Sequence, residues 1–382
     1  MLPILCQEIE MSKKRLIFRW YFIVLGYFSC LAAYAQERTP LIIGVAYQAG
    51  SVLVHSPKIR HLQGVKPNGV EINLQYQTTG TKFWHQLYKY PRIGISFIAF
   101  DYQEPILGKS VAASIYINKF VYHRVQDQLS VRLGSGLAYF SNHFDWRVNA
   151  TNNVISAPLN AVIQFRAEYE RMLSQKFSLV LAAGINHYSN GGNAKPNLGI
   201  NIGTLSLGLN YYSHRSFEPL IQAWPPPENK LSFTISSSAG IKQRNDFDTL
   251  TYTVKSIALS AMQQLNPKST LLVGLEGFYD PSLLPRRNWD PRVKPGTSPD
   301  IKRVALNFGH ELALGKLGFG TYVGWYAYRP YKSDAPFYQR LETRYPLTRN
   351  IYLAAGLKLH DLIKADIIEY RLGFRFWRKN RP

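Results

Sequence analysis

The feature that most constrains the fold is an alternation of apolar and polar residues that recurs along the chain in segments of about ten residues. Val70–Gln77 and Leu129–Tyr139 each place apolar residues on one face and small or polar residues on the other. The polar faces carry charges of both signs, for example Glu71, Arg132 and Glu168. A soluble sandwich would turn its apolar face inward, whereas a membrane barrel turns it outward. We therefore predict an all-β, antiparallel transmembrane β-barrel with a charged interior.

The alternation predicts sixteen strands, each bounded by turn residues. Connections alternate between short turns, such as 173–175 and 266–268, and longer polar loops, such as 140–158 and 280–302. This asymmetry is typical of outer-membrane barrels, and we expect the long loops to face outside the cell. The predicted strands lie near 41–48, 70–78, 92–100, 111–121, 129–139, 161–171, 176–189, 201–212, 231–241, 252–264, 270–279, 303–314, 317–328, 338–345, 350–359 and 366–377.

A weak internal repeat bears on how these strands are divided. Leu181–Gly184 precedes His187 in the first half, and Leu353–Gly356 precedes His360 in the second. Two architectures remain: a single barrel of about 12–16 strands, or two eight-stranded barrels in tandem. The rarity of tandem barrels in one chain favours the single barrel. In either case the expected units are 36–213, a Pro-rich linker at 214–229, and a second, non-catalytic set of strands at 230–382.

The N-terminus has the pattern of a secretion signal. Lys13–Arg15 is basic, Trp20–Leu31 is apolar, and Ala33–Ala35 matches a small-residue cleavage site. We therefore predict a cleaved signal peptide over residues 1–35, with translation starting at Met11. The apolar residues beyond it form no run long enough for a transmembrane helix.

Charge and cysteine content exclude several classes of function. The two cysteines, Cys6 and Cys30, lie in the predicted signal peptide, so the mature chain would have no thiol nucleophile or cysteine metal site. The histidines are scattered and no glycine-rich phosphate loop follows a strand, so we predict no metal and no cofactor. The formal net charge is +21. No nucleic-acid motif accompanies this charge, and in an outer membrane the natural acidic partner is phosphorylated lipid.

The residues with the clearest chemical meaning lie at the end of the seventh predicted strand. His187 and Ser189 continue its apolar, lipid-facing row, and Asn201 shares the lipid-facing parity of the next strand. Polar side chains facing lipid are costly unless they are used. A Ser–His pair in that position could attack an ester of a membrane lipid. The Gly191-Gly192 turn offers backbone N–H groups to an oxyanion.

The segment His187-Tyr188-Ser189-Asn190-Gly191, followed by Lys195-Pro196-Asn197 and Gly199-Ile200, resembles the lipid A 3-O-deacylase family (PagL type) over roughly residues 40–213. The resemblance implies an outer-membrane esterase that acts on lipid A within lipopolysaccharide. It also implies that Ser189 is the nucleophile and His187 the general base. Asn190 would form the oxyanion hole with the amides of Gly191 and Gly192.

One position departs from the family. The family has a Glu twelve residues beyond the Ser, where this chain has Asn201. An Asn carbonyl can orient the histidine through its Nδ1–H but cannot neutralise the imidazolium; the corresponding Asp-to-Asn change in a serine protease costs about 10⁴ in rate. Asp101 is a distant substitute acid on the lipid-facing parity, and Lys195 is a candidate contact for a lipid phosphate. The alternative function is a non-enzymatic barrel, a pore or a structural or adhesion protein, that retains the motif as a relic.

Overall fold

The computed structural model describes residues 41–214, 219–223, 231–246, 248, 250–361 and 364–377. The predicted signal peptide and most of the Pro-rich linker lie outside these residues. Within them, no helix has the length and apolar character needed to cross a membrane.

The first eight strands form one closed antiparallel barrel. Each strand pairs with its neighbour in sequence, and β1 closes the barrel by pairing with β8 from Ile42↔Tyr212 to Val52↔Ile202. The strands are β1 (Leu41–Val52), β2 (Asn68–Gln77), β3 (Arg92–Asp101), β4 (Lys109–His123), β5 (Asp127–Phe140), β6 (Leu159–Met172), β7 (Phe177–Ser189) and β8 (Ile200–Tyr212).

The remaining eight strands close separately, because β16 pairs with β9. The all-β antiparallel barrel prediction is confirmed, and each of the sixteen predicted strands is present. The preference for a single barrel was wrong. In each set of eight, the first and last strands pair with each other, so no strand edge with unpaired backbone groups remains to join the other set. The strands are β9 (Leu231–Gln243), β10 (Thr251–Asn266), β11 (Ser269–Tyr279), β12 (Arg303–Leu314), β13 (Leu317–Tyr328), β14 (Phe337–Pro346), β15 (Ile351–His360) and β16 (Lys364–Trp377).

Buried ion pairs occupy the interior of the first barrel. Glu71 accepts from Arg132 and Arg166 at 2.6 Å each, and Arg92 pairs with Glu170 at 2.6 Å. Grouping the charges in this way offsets the cost of removing them from water. The cavity beside the Glu71 cluster measures about 20 Å³, room for about one water molecule.

The second barrel has a similar interior. Glu276 is paired with Arg340 at 2.8 Å and with Arg371 at 2.7 Å, and Arg340 also pairs with Glu369 at 2.9 Å. In both barrels the alternate residues of each strand face outward, and most of them are apolar. An eight-stranded barrel is just wide enough for its side chains to fill it.

Each barrel has a rim of longer loops and a rim of shorter turns. We call the rim that carries the β7–β8 loop (190–199) the long-loop rim and the opposite one the short-turn rim. Among the connecting residues that the structure describes, three short helices were not predicted: a 3₁₀ helix (Pro57–Leu62), α1 (Phe83–Leu87) and α2 (Leu283–Asn288).

The barrels contact each other at both rims. At the short-turn rim, Tyr88 Oη donates to Ala313 O at 2.7 Å, and Lys268 Nζ lies 5.3 Å from the centre of the Tyr88 ring. At the long-loop rim, the β7–β8 loop of the first barrel is bonded to the end of β9. The second contact involves the residues that the sequence singled out.

Candidate active site

Strands β7 and β8 bring the three predicted catalytic residues together on the outer face of the first barrel. His187 is directly opposite Asn201 in the strand register, and Ser189 is the last residue of β7. The side chains of all three are half-buried. Asn186 and Tyr188, which alternate with His187 and Ser189 along β7, are buried in the barrel interior. The outward direction inferred from strand parity is therefore the one observed.

The histidine is held by the asparagine. His187 Nδ1 and Asn201 Oδ1 are 2.6 Å apart, and because the amide oxygen only accepts, Nδ1 carries the hydrogen. His187 Nε2 then has the free lone pair that a general base needs.

Gly199 allows the ring to take this position. Its φ is +70°, and a Cβ there would lie 2.9 Å from His187 Cε1. A side chain at this position would therefore be strained in its backbone and would also collide with the imidazole.

The serine hydroxyl faces the β7–β8 loop. Ser189 Oγ accepts from Asn197 Nδ2 at 2.9 Å and from Gly191 N at 3.2 Å. In the described part of the chain, no hydrogen bond joins Ser189 to His187. Residues two apart on one strand face are about 6.7 Å apart along the strand.

The predicted oxyanion-hole residues have different partners in this structure. Gly191 N points at Ser189 Oγ, whereas Gly192 N donates to Asn190 Oδ1 at 2.9 Å. Asn190 Nδ2 donates to Ser156 Oγ at 2.8 Å, so the buried Asn190 side chain holds the turn. The donors nearest the Ser189 hydroxyl are Gly191 N and Asn197 Nδ2.

Two residues that contact the predicted catalytic residues were not assigned a role from the sequence. Asn197 lies in the motif without an assigned role, and it donates to the serine hydroxyl. His55 follows β1, and its Nδ1 atom lies 3.2 Å from Asn201 Nδ2. These two residues are 146 positions apart in sequence, and strand parity contains no information about such a loop contact.

The second barrel packs against the glycine turn. A Cβ on Gly191 would overlap Ile368 Cγ1 of β16, and one on Gly192 would lie 2.8 Å from Asp366 O. Gln243, at the end of β9, donates its backbone N–H to Gly192 O at 3.2 Å. Gln243 Oε1 accepts from Lys195 N at 2.6 Å. The turn is therefore confined by the rim of the other barrel.

The lysine of the motif is half-buried between the barrels. Burial of its ammonium group lowers the pKa of Lys195 from its ordinary value, and the nearby Asp246 carboxylate opposes that change. A cation at this place is close to the proposed ester site, and its contact with a lipid phosphate stays a prediction.

Two other residues considered from the sequence lie away from the site. Asp101 pairs with Lys109 at 3.0 Å and makes no contact with His187 in the described chain. His360 is buried inside the second barrel, where its Nε2 lies 3.4 Å from Asp366. No group of three or more His, Cys, Asp or Glu side chains arranged to hold a metal occurs among the residues that the structure describes.

Comparison with known proteins gives two family matches. The model described as lipid A 3-O-deacylase (PagL) matches residues 68–210, and the model described as acyloxyacyl hydrolase, C-terminal domain, matches residues 230–380. No curated protein sequence matches the chain.

Solved structures with similar folds include outer-membrane barrels. Neisserial surface protein A (NspA) has 11% sequence identity and a TM-score of 0.31, over 46% of this chain and 97% of its own. The outer membrane enzyme PagL has 16% identity and a TM-score of 0.30, over 43% of this chain and 97% of its own.

Proposed function

The chain belongs to the lipid A 3-O-deacylase (PagL) family of the bacterial outer membrane, and on that premise we propose that its first barrel is an esterase that removes the 3-O-linked acyl chain of lipid A. The proposed site is the outer face of the long-loop rim, with Ser189 as nucleophile and His187 as general base. The long-loop rim would then lie in the outer leaflet, where lipid A is found.

In the proposed reaction, Ser189 Oγ attacks the ester carbonyl carbon while His187 Nε2 takes the hydroxyl proton. The tetrahedral intermediate collapses when His187 returns that proton to the departing sugar oxygen, which leaves the acyl chain on Ser189. Water, deprotonated by the same nitrogen, then releases the fatty acid and restores the serine. The attack by Ser189 and the later attack by water each need His187 Nε2 without a proton, which is the tautomer favoured by the bond to Asn201.

The negative charge on the carbonyl oxygen requires hydrogen-bond donors that are already in place. Gly191 N–H and Asn197 Nδ2, both within 3.2 Å of the serine oxygen, are the donors that the geometry favours. Asn190 and the amide of Gly192, also predicted from the resemblance, would support the oxyanion by shaping the turn. We propose that the serine hydroxyl leaves these donors for His187 as the ester carbonyl takes its place. Catalytic hydrogen bonds are often formed only once the substrate is bound.

The observation that carries the proposal is the 2.6 Å bond between His187 and Asn201 on a surface that faces lipid, with Ser189 next on the same strand face. A lipid substrate in the same leaflet would reach this surface without leaving the membrane. Histidine and asparagine on an otherwise apolar wall are costly unless they serve such a reaction.

The direct test is to weigh lipid A by mass spectrometry after expression of the chain in outer membranes. The parent should remove one hydroxyacyl mass and Ser189→Ala should not. Ser135→Ala is the matched control, because Ser135 also faces outward but lies on β5, away from the site. Unchanged lipid A with a correctly folded parent would contradict the proposal, and Asn201→Glu is then the variant to try for rescue.

One observation favours the alternative, a non-enzymatic barrel that retains the motif: Ser189 is bonded to Asn197 and Gly191 rather than to His187. The same mass measurement separates the two functions. A pore receives no support, because ion pairs occupy the described interior of both barrels.

A further inference from the structure

The bond between His187 and Asn201 is one link in a longer chain of hydrogen bonds. Asn201 Nδ2 lies 3.2 Å from His55 Nδ1, and His55 Nε2 lies 3.3 Å from Leu198 O. His55 is brought there by the backbone, because Leu53 N donates to Asn201 O at 2.9 Å just beyond the last pair of β1 and β8. The chain starts at the proposed base and ends at a main-chain carbonyl.

That carbonyl fixes the direction of every bond. Leu198 O can only accept, so His55 Nε2 carries a hydrogen, and in a neutral imidazole Nδ1 then has the lone pair. Asn201 must therefore turn its NH₂ toward His55 and its oxygen toward His187. His187 consequently donates from Nδ1 and keeps Nε2 free. The orientation of the Asn201 amide and the tautomers of His55 and His187 therefore all follow from the single acceptor Leu198 O.

We propose that His55 is a positioning residue that makes Asn201 competent to orient the base. An amide has two different ends, and only one of them produces the basic Nε2. If the amide were reversed, its NH₂ would donate to His187 Nδ1, and Nε2 would carry the hydrogen and could not take the serine proton. A carboxylate at position 201 would have two accepting oxygens and would need no such selection. This inference rests on the proposed esterase function.

The kinetic test compares His55→Ala in two backgrounds. In the parent, loss of the bond that selects the amide orientation should lower kcat about tenfold, the value of one neutral hydrogen bond, with KM unchanged. In the Asn201→Asp background, the same change should alter kcat less than about twofold, because the carboxylate accepts with either oxygen. A purely structural role for His55 would give equal losses in both backgrounds, and that result would overturn the proposal.

Two further variants sharpen the comparison. His55→Gln offers an acceptor to Asn201 and a donor to Leu198, and should recover part of the lost kcat. His61→Ala is the matched control, since His61 is an exposed histidine of the same loop, and it should leave kcat unchanged. A loss for His61→Ala as large as that for His55→Ala would mean that the loop, rather than the hydrogen-bond chain, matters.

A second readout is independent of activity. Nitrogen-15 NMR of the histidine-labelled protein in detergent, assigned with His187→Gln, reports which His187 nitrogen carries the hydrogen. The parent should show Nδ1–H, and His55→Ala should shift the population toward Nε2–H. If the parent folds but has no deacylase activity, the proposed function fails, while the tautomer shift still decides the role of His55. An unchanged tautomer in His55→Ala would refute that role whatever the activity.

Discussion

In the first barrel, β7 runs through Leu181–Gly184 to a histidine on the membrane-facing wall, whereas in the second barrel β15 runs through Leu353–Gly356 to a histidine inside the lumen. The second histidine comes one residue later in its strand. Because strand faces alternate, a single added residue moves the side chain to the other face. The ladder between β15 and β16 also shifts register beside His360, between Lys358 and Leu359.

The two histidines have partners that suit different tasks. His187 is bonded through Nδ1 to a neutral amide, which leaves Nε2 with a lone pair, so the imidazole can exchange a proton with a substrate. His360 Nε2 lies 3.4 Å from Asp366, whose carboxylate also pairs with Lys242 and Lys358. A histidine within a buried ion cluster contributes to the stability of the barrel. We therefore expect the first barrel to perform the reaction and the second to support it.

The largest difference should appear when each histidine is removed. His187→Ala should lower deacylase activity at least about 10³-fold, as loss of a catalytic base does, and leave the unfolding of the barrel unchanged. His360→Ala should keep activity within a few-fold of the parent. Its effect should be on stability, about 1.5–3 kcal/mol for the lost contact with a buried charged group. The two quantities are read from lipid A mass spectra and urea unfolding. Equal activity losses would mean that the barrels do not divide these tasks.

The buried ion clusters allow a matched test of stability. Glu71→Gln and Glu276→Gln each remove the negative charge of a carboxylate that pairs with two buried arginines. Each change should lower the free energy of unfolding of its own barrel by about 3–5 kcal/mol. Urea titrations followed by electrophoretic mobility of the folded form measure this. If either variant unfolds at the parent's midpoint, the paired charges are not what holds that lumen together.

Within the first barrel, the glycine that contacts the His187 ring can be compared with another glycine that also has a positive φ. Gly199 and Gly64 both have positive φ, but a Cβ on Gly64 would meet nothing within 4 Å. Both alanine variants should lose about 1 kcal/mol of stability from backbone strain. Only Gly199→Ala, which pushes on the His187 ring, should also lose activity, by about 10- to 100-fold. Similar activity in the two variants would show that the ring tolerates displacement.

The smallest expected effect concerns the contact between the barrels. Gln243→Ala removes the acceptor for Lys195 N and should lower kcat about three- to tenfold, the value of one neutral hydrogen bond that holds the glycine turn. Gln264→Ala, at the opposite end of the second barrel, is the control and should have no effect. The kinetics of purified protein on lipid A measure both. Parent-like kcat for Gln243→Ala would mean that the second barrel does not support the site.

The local parts of this fold could be predicted from the sequence, and the closure of the barrels could not. Each strand shows alternation with a period of two in its own sequence. That pattern predicted all sixteen strands and the outward direction of the His187 and Asn201 side chains. Closure depends on which distant strands pair, and the pairing of β1 with β8 leaves no local pattern. The contacts of Asn197 and His55 come from loops, where parity does not apply. The rotamer of Ser189 is set by those same loops.

Whether Ser189 is the nucleophile can be measured by covalent labelling of the serine. The second barrel offers a competing pair, because Ser269 Oγ lies 2.5 Å from His310 Nε2 near the short-turn rim. A fluorophosphonate bearing an acyl tail, applied to the folded protein in outer-membrane vesicles and mapped by peptide mass spectrometry, distinguishes them. We expect the probe to modify Ser189 in the parent but not in His187→Ala, and to leave Ser269 unmodified. Modification of Ser269 with Ser189 untouched would contradict the role of Ser189 as nucleophile.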